Sequence, residues 1–167
     1  GFAFGLLYAP LVVTGLHHTF LAVDFQLIAD PALQGTMIWP MIALSNIAQS
    51  GAVAATYFIY KKDKKQESLS ASATISAWLG VTEPAMFGAN LKYMYPFVAA
   101  ITASAVAGLI SAAFGVLAGG VGIGGLPAIL AIKAQYWPGY ILAMAVALFG
   151  SFFLTFAFKK IYDKKHG

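Results

Sequence analysis

Residues 73–91 read ATISAWLGVTEPAMFGANL, an apolar stretch in which the acidic Glu83 directly precedes Pro84. About 20 residues of helix span a bilayer, but proline interrupts a continuous helix and suits the first position of a new one. We therefore predict a break at Thr82 and Glu83. A carboxylate at membrane depth costs at least about 2–3 kcal/mol and usually marks a substrate or ion path. The alternative is a hairpin at the headgroup surface, with Glu83 simply hydrated.

The composition around this segment is typical of a membrane protein. Of the 167 residues, 60% are hydrophobic and only 10% are charged, against about 25% charged residues in a soluble domain. Uncharged runs cover residues 31–60, 93–132 and 134–158, each long enough to cross a bilayer. The net charge of +4 comes without any arginine, which argues against a nucleic-acid partner. Without cysteine, disulfides and thiolate chemistry are excluded within the chain.

We predict an all-α integral membrane protein with about four transmembrane helices and one re-entrant hairpin. The hairpin is residues 73–91 and carries Thr82, Glu83 and Pro84. The helices are expected at about residues 2–21, 39–60, 96–117 and 138–158. The chain starts with neither an initiator Met nor the basic segment of a signal peptide. We therefore interpret it as a piece of a longer membrane protein, beginning within a helix.

Two lysine clusters, at residues 61–65 and 159–165, define the expected topology. Short cytoplasmic loops carry an excess of positive charge, so both clusters, and with them the C-terminus, are predicted to be cytoplasmic. The helices at 96–117 and 138–158 already supply two crossings between the clusters. Residues 73–91 must therefore enter the membrane and return, which is tolerated only where protein or water covers the broken backbone.

A second group of polar residues lies at the end of the first predicted helix. Thr14, His17, Leu21 and Asp24 would share one face if that helix were unbroken. His17 and His18 would then point about 100° apart, and they lack the spacing of a chelating pair, so no metal site is predicted. Either histidine could instead be a packing residue. In a membrane segment, however, polar side chains tend to face the protein interior.

Asn46, Gln49 and Ser50 form a polar stripe on the second predicted helix. Such a stripe either lines the same cavity as Glu83 or joins helices by hydrogen bonds, and we favour the second role.

Two small-residue patterns are expected to be structural. On the third span a small residue recurs every four positions, which lets helix backbones approach closely; these are Ala100, Ser104, Gly108 and Ala112. The glycine-rich residues 120–125 are expected to be a flexible turn ended by Pro127.

Several of these motifs carry a resemblance to a known family. Residues 14–19 (TGLHHT), 39–49 (WPMIALSNIAQ), 80–88 (GVTEPAMFG) and 90–93 (NLKY) resemble the membrane component, enzyme IIC, of sugar phosphotransferase systems in the glucose superfamily. The match runs essentially from end to end. Within the superfamily, the SAWLG and GIGGLP segments that flank these motifs look most like those of trehalose-specific members, with sucrose-specific permeases next.

The resemblance implies a multi-pass permease of the bacterial cytoplasmic membrane, normally a homodimer in membrane lipid. It would take a disaccharide such as trehalose from outside and present its 6-hydroxyl to a phosphocysteine on the IIB domain, so that trehalose 6-phosphate is released inside. The partners would be the IIA and IIB phosphocarrier domains, and no cofactor is implied beyond the phosphoryl group that IIB supplies. Residues 1–167 would be the C-terminal part of one IIC domain, without IIB and without the earlier helices. Only the complete IIBC system would be a sugar phosphotransferase.

In the family, the carboxylate of the Thr-Glu-Pro motif and a histidine of the Gly-Leu-His-His motif bind the sugar. These roles carry over to Glu83 and His17. A carboxylate near the 6-hydroxyl could also accept its proton as the phosphoryl group arrives, which makes Glu83 the candidate catalytic residue. The other substrate-binding candidates are Thr82, His18, Thr14 and Asn46.

Three other functions stay open at this point. The sugar could be sucrose rather than trehalose. An ion-coupled secondary transporter could use Glu83 as its coupling site, and a channel could use the hairpin as a selectivity element. The product separates these classes, because only group translocation yields a phosphorylated sugar.

Overall fold

The computed structural model describes residues 1–166, with side chains through Lys164, and within this range the fold is built from helices. β pairing in the described residues is limited to isolated bridges that join Thr36 to Ala118 and Ala118 to Ile132. The α-helices are, in chain order, α1 (Phe2–Val13), α2 (Thr19–Ala29), α3 (Ile38–Ile59), α4 (Lys64–Trp78), α5 (Glu83–Ala85), α6 (Leu91–Tyr93), α7 (Tyr95–Ala113), α8 (Trp137–Ala145) and α9 (Ser151–His166).

Three helical segments in the described part of the chain are long and apolar enough to cross a membrane, which confirms the predicted all-α membrane class. They are Ile38–Ile59, Tyr95–Ala113 and Ala134–Lys164. The third segment joins α8 to α9 through a π turn at Val146–Gly150. These spans start within four residues of the predicted positions, but the last one continues beyond residue 158.

The first helix is shorter than predicted. It ends at Val13, after 12 residues, and Gly15 adopts a left-handed conformation with φ of +78°, the usual way for glycine to terminate a helix. A short 3₁₀ turn, Leu16–His18, then leads into α2. The expectation that Thr14 and Asp24 share one face of a continuous helix is therefore wrong.

The segment around Glu83 forms a helical hairpin, as predicted. The first arm is α4, which begins at Lys64 rather than at residue 73. The second arm runs through α5, a π turn at Met86–Asn90, and α6. The arms are antiparallel, because Gln66 near the start of α4 donates a 3.4 Å hydrogen bond to the Gly88 carbonyl in the second arm. The ring of Tyr93 stacks on Tyr60 at 4.2 Å, so the hairpin ends beside the end of α3.

The predicted stripe of small residues on α7 is a helix-packing surface, and its partner is α1. A Cβ atom added to Gly5 would lie 2.3 Å from the Ser104 carbonyl oxygen, and one added to Gly1 would lie 2.2 Å from that of Gly108. Such contacts require glycine on α1 and small residues on α7. The two backbones therefore approach as closely as the sequence pattern indicates.

Asp24 has a structural role that the sequence did not reveal. The residue is fully buried, and its Oδ1 atom accepts hydrogen bonds from Thr36 Oγ1 (2.5 Å) and from the backbone N–H of Trp39 (3.2 Å). Thr36 Oγ1 in turn accepts from the Ile38 N–H. Because the first N–H groups of a helix have no partner within it, Asp24 and Thr36 together cap α3 from outside.

We expect Asp24→Ala to destabilise the full-length protein by about 1–3 kcal/mol, because the Thr36 hydroxyl and the Trp39 N–H would be left buried without an acceptor. Thermal unfolding of the purified protein in detergent measures this loss. Asp30→Ala is the matched control, since Asp30 is exposed and accepts one local hydrogen bond, from the Ala32 N–H. Equal melting temperatures for the two variants would contradict the capping role.

Candidate functional site

Glu83 occupies the first position of a new helix at the tip of the hairpin. The chain leaves α4 at Trp78 and turns at Gly80, which has φ of +95°. Thr82 then precedes α5 as its N-cap residue, and Pro84 lies in the first turn. Proline is well placed here because the first N–H groups of a helix have no intrahelical acceptor. The predicted break at Thr82 and Glu83 is confirmed, and it leaves the Glu83 side chain exposed.

The turn of the hairpin is covered by the glycine-rich segment, which is not an isolated turn. A Cβ atom on Gly80 would lie 2.7 Å from the Gly124 Cα, and a Cβ atom on Gly125 would lie 2.2 Å from the Trp78 carbonyl oxygen. Gly125 also has φ of +65° and ψ of −146°, a conformation that essentially only glycine adopts. Two glycine backbones therefore lie directly against each other just before Glu83.

Asn46 lies at the junction of these two segments. Its Nδ2 atom is 3.5 Å from the Gly80 carbonyl oxygen, at the outer limit for a hydrogen bond, and would be 2.9 Å from a Cβ atom on Gly124. The residue is half-buried. Asn46 thus joins α3 to the hairpin turn, and sugar binding by Asn46 stays a prediction.

His17 and His18 lie in the 3₁₀ turn between α1 and α2, with ring centroids 4.0 Å apart. His17 is half-buried and lies edge-on to the ring of Tyr8 at 6.4 Å, whereas His18 is exposed. Within the described residues, no three side chains of the metal-binding types come together.

The electrostatics connect His17 with Glu83. Burial lowers the pKa of His17 from its usual value, and the neighbouring His18 lowers it further, while the negative charge of Glu83 opposes both effects. The Nδ1 atom of His17 is buried and has no hydrogen bond of good geometry. Sugar binding by Glu83 and His17 stays a prediction.

The two predicted threonines are placed differently. Thr82 is buried at the hairpin tip, and its side chain does not cap α5. Thr14 is exposed at the end of α1, where its hydroxyl donates a 2.8 Å hydrogen bond to the Leu11 carbonyl. Thr82 thus adjoins Glu83 at the break, whereas the Thr14 hydroxyl is engaged within its own helix. Substrate binding by these threonines and by His18 stays a prediction.

A buried amide pair that supports the hairpin was only partly foreseen. Asn90 Nδ2 donates to the Gln49 side-chain oxygen at 2.7 Å and to the Gln49 backbone carbonyl at 3.1 Å. The predicted role of the polar stripe in joining helices is therefore confirmed for Gln49. The sequence held a signal for the partner of Gln49, because Asn90 is the amide side chain of the second arm.

These features define a class of protein: a helical membrane protein with an acidic site at an interrupted re-entrant hairpin. Comparison with protein families identifies the particular family, because residues 1–104 match the model described as phosphotransferase system, EIIC. The chain belongs to this family. The resemblance noted in the sequence is thereby confirmed.

The most similar relatives include two proteins named trehalose-specific EIIBC component. That of Bacillus subtilis is 50% identical over 164 residues (98% of this chain and 34% of the relative), and that of Escherichia coli is 50% identical over 163 residues (98% and 33%). A sucrose-specific EIIBC component of Staphylococcus xylosus is 46% identical over 149 residues (87% and 31%). The chain thus spans about a third of the length of these relatives. No solved structure matches it.

We expect Gly125→Ala to loosen the hairpin tip, because the methyl group would clash with the Trp78 carbonyl and strain the backbone by about 1–3 kcal/mol. Hydrogen exchange of the amides of residues 79–82 in the full-length protein should become about tenfold faster or more, since 1.4 kcal/mol corresponds to a factor of ten. Gly120→Ala is the matched control, because a Cβ atom there would meet nothing within 4 Å. Unchanged exchange in Gly125→Ala would show that the glycine contact does not hold the turn.

Proposed function

We propose that the full-length protein takes up a disaccharide, foremost trehalose, and couples its entry to phosphorylation. Family membership supports a sugar phosphotransferase permease, and the two trehalose-specific relatives support the sugar. The observation that carries the proposal is the placement of the exposed Glu83 carboxylate at a helix break. A carboxylate and an imidazole suit a polyhydroxylated ligand.

The chemistry of the two side chains explains how they would hold a sugar. The ionised Glu83 carboxylate only accepts hydrogen bonds, and it can accept from two sugar hydroxyls, while the neutral His17 ring offers one donor and one acceptor. Thr82, beside Glu83, adds a hydroxyl at the same break. This set would orient the sugar so that one defined hydroxyl faces the phosphoryl donor.

In the transfer step, the phosphoryl group would leave the cysteine sulfur of IIB and bond to the sugar's 6-hydroxyl oxygen. The S–P bond breaks, the O–P bond forms, and the hydroxyl proton passes to the Glu83 carboxylate acting as general base. Most of the catalysis in such transfers comes from positioning and charge stabilisation. The donor cysteine belongs to IIB, since residues 1–167 contain none.

We further propose that the protein is a homodimer in the bacterial cytoplasmic membrane, with its C-terminus inside and the IIA and IIB domains as phosphocarriers. The arrangement of one end of the fold supports this orientation. Tyr95 donates to the Tyr60 hydroxyl at 3.1 Å and its ring lies 5.7 Å from that of Tyr162. Both lysine clusters are therefore at the end where the hairpin begins and returns, as the positive-inside rule requires.

Sucrose is the second candidate substrate, because a relative with 46% identity is named sucrose-specific. An ion-coupled transporter is the alternative of a different class, and it would release an unmodified sugar. The test uses membranes that carry the full-length protein, the soluble phosphocarriers and phosphoenolpyruvate. We expect trehalose 6-phosphate to form in preference to phosphorylated sucrose or maltose.

In the same assay, Glu83→Gln should lower the rate of trehalose phosphorylation by about 100-fold or more, the usual scale for losing a general base. Glutamine keeps the shape but cannot accept the proton. Glu67→Gln is the matched control, because Glu67 forms a surface ion pair with Lys64 on α4, and such pairs contribute little. Full activity of Glu83→Gln would exclude the base role, and unmodified trehalose as the product would exclude group translocation.

We expect His17→Ala to weaken trehalose binding by about 1–3 kcal/mol, if the sugar hydroxyl that loses its partner stays buried. The pH dependence adds a second readout. Because the pKa of His17 is lowered from its usual value, mainly by burial, the ring stays neutral to a lower pH than an ordinary histidine. Because a protonated ring can no longer accept a hydrogen bond from a sugar hydroxyl, affinity should fall only when the pH drops through this lowered pKa.

Calorimetric titration of trehalose into the detergent-purified protein between about pH 5 and pH 8 measures this dependence. His17→Gln should remove the acid limb of the profile, while His18→Gln, on the exposed ring, should retain it. An acid limb that persists in His17→Gln would assign the titration to another group.

A further inference from the structure

An apolar groove runs along the face formed by α3, α4 and the continuous helix of the π turn Val146–Gly150 and α9. Its volume is about 520 Å³, within the range of about 300–1,000 Å³ that is usual for ligand pockets. Aromatic and aliphatic side chains from all three helices line it, among them Tyr57, Phe58, Ile75, Trp78, Phe149 and Phe153. Five of these six side chains are exposed. A continuous exposed apolar patch of this kind indicates a binding surface.

The groove lies at membrane depth. Its α3 wall, from Gly51 to Phe58, belongs to the candidate span Ile38–Ile59, and its α9 wall belongs to the span Ala134–Lys164. Gly51 forms the close contact between the two walls, since a Cβ atom there would lie 2.2 Å from the Leu148 carbonyl oxygen. The wall from Gly51 to Phe58 is about 10 Å long at 1.5 Å per residue. The groove therefore suits a narrow apolar chain parallel to the helices.

One end of the groove is strongly basic. Beyond Phe58, α3 ends before Lys61 and Lys62, and α4 starts at Lys64 and Lys65. Lys160 follows the groove residues on α9. The α9 lysines lie at the same end, because Tyr95 donates to the Tyr60 hydroxyl and its ring lies 5.7 Å from that of Tyr162 on α9.

The acidic residues at this end are already engaged. Glu67 pairs with Lys64 and Asp163 pairs with Lys159, while the Asp63 side chain accepts from backbone N–H groups at the start of α4. Within the described residues, Lys61, Lys62, Lys65 and Lys160 form no ion pair. The basic end therefore has four positive charges available for an anionic partner.

We propose that the groove binds one acyl chain of an anionic phospholipid, with the headgroup phosphate held by the lysines at its basic end. Apolar walls match the acyl chain, and lysines next to a span attract anionic headgroups. A second copy of the chain fits less well. A two-fold interface on this face would place the basic end of one copy beside the basic end of the other, and their like charges would repel. The inference concerns a lipid site and is independent of the proposed sugar site.

Fluorescence quenching tests the proposal in the full-length protein reconstituted in vesicles. Trp78 in the groove is the reporter, and its signal is the difference between the wild-type protein and Trp78→Phe. We expect phosphatidylglycerol with brominated acyl chains to quench Trp78 at a several-fold lower mole fraction than brominated phosphatidylcholine. Equal quenching by the two lipids would mean that Trp78 contacts only the bulk lipid around the protein. No quenching would mean that protein covers the groove. Either result would overturn the proposal.

Two matched pairs of variants locate the site. Ala54→Phe fills the groove and should abolish the preference for phosphatidylglycerol, whereas Val106→Phe, an exposed position on α7 outside the groove, should not. Replacing Lys61, Lys62 and Lys65 together by glutamine should also remove the preference, while Lys133→Gln should retain it. The triple variant of Lys61, Lys62 and Lys65 alters only exposed side chains, so it decides the question even if Ala54→Phe does not fold. If the triple lysine variant still prefers phosphatidylglycerol, the proposed lipid site is wrong.

Discussion

The structure depends on covering the broken backbone at the tip of the hairpin. A helix satisfies its own N–H and C=O groups, but a break inside an apolar chain exposes them, and only protein or water can cover them. Here the cover is another stretch of backbone: Gly124 and Gly125 lie against Gly80 and Trp78 at distances that leave no room for a Cβ atom. Asn46 adds an amide at the same junction. This contact lets Glu83 begin a new helix within the fold.

The helix α3 connects the two halves of the candidate site. The hairpin arm that carries Glu83 is tied to α3 by the buried pair of Asn90 and Gln49. The segment that carries His17 is tied to the start of α3 by Asp24, which accepts the Trp39 N–H. Two segments that are far apart in the chain, one carrying Glu83 and the other His17, are thus tied to one common helix.

The local signals in the sequence were reliable where a single residue type has a strong backbone preference. Pro84 marked the start of α5, the lysine cluster at residues 61–65 marked the end of α3, and the small-residue stripe on α7 marked a close helix contact. The end of α1 was missed, because a glycine within an apolar run is tolerated in many helices, and the hydrophobic pattern continues through Gly15. The same break brings the rings of His17 and His18 within 4.0 Å of each other.

The sequence by itself determined the membrane class, the hairpin and the identity of its acidic residue, since these depend on composition, run length and the conformational limits of proline. Only the tertiary structure decided that Asp24 caps α3, that the glycine-rich segment covers the hairpin tip, and that an apolar groove ends at the lysines. Each of these is a contact between segments distant in the chain. Local propensity does not show which distant group will pack against a glycine backbone or accept a hydrogen bond from an unpaired N–H. The packing of the whole fold determines these contacts.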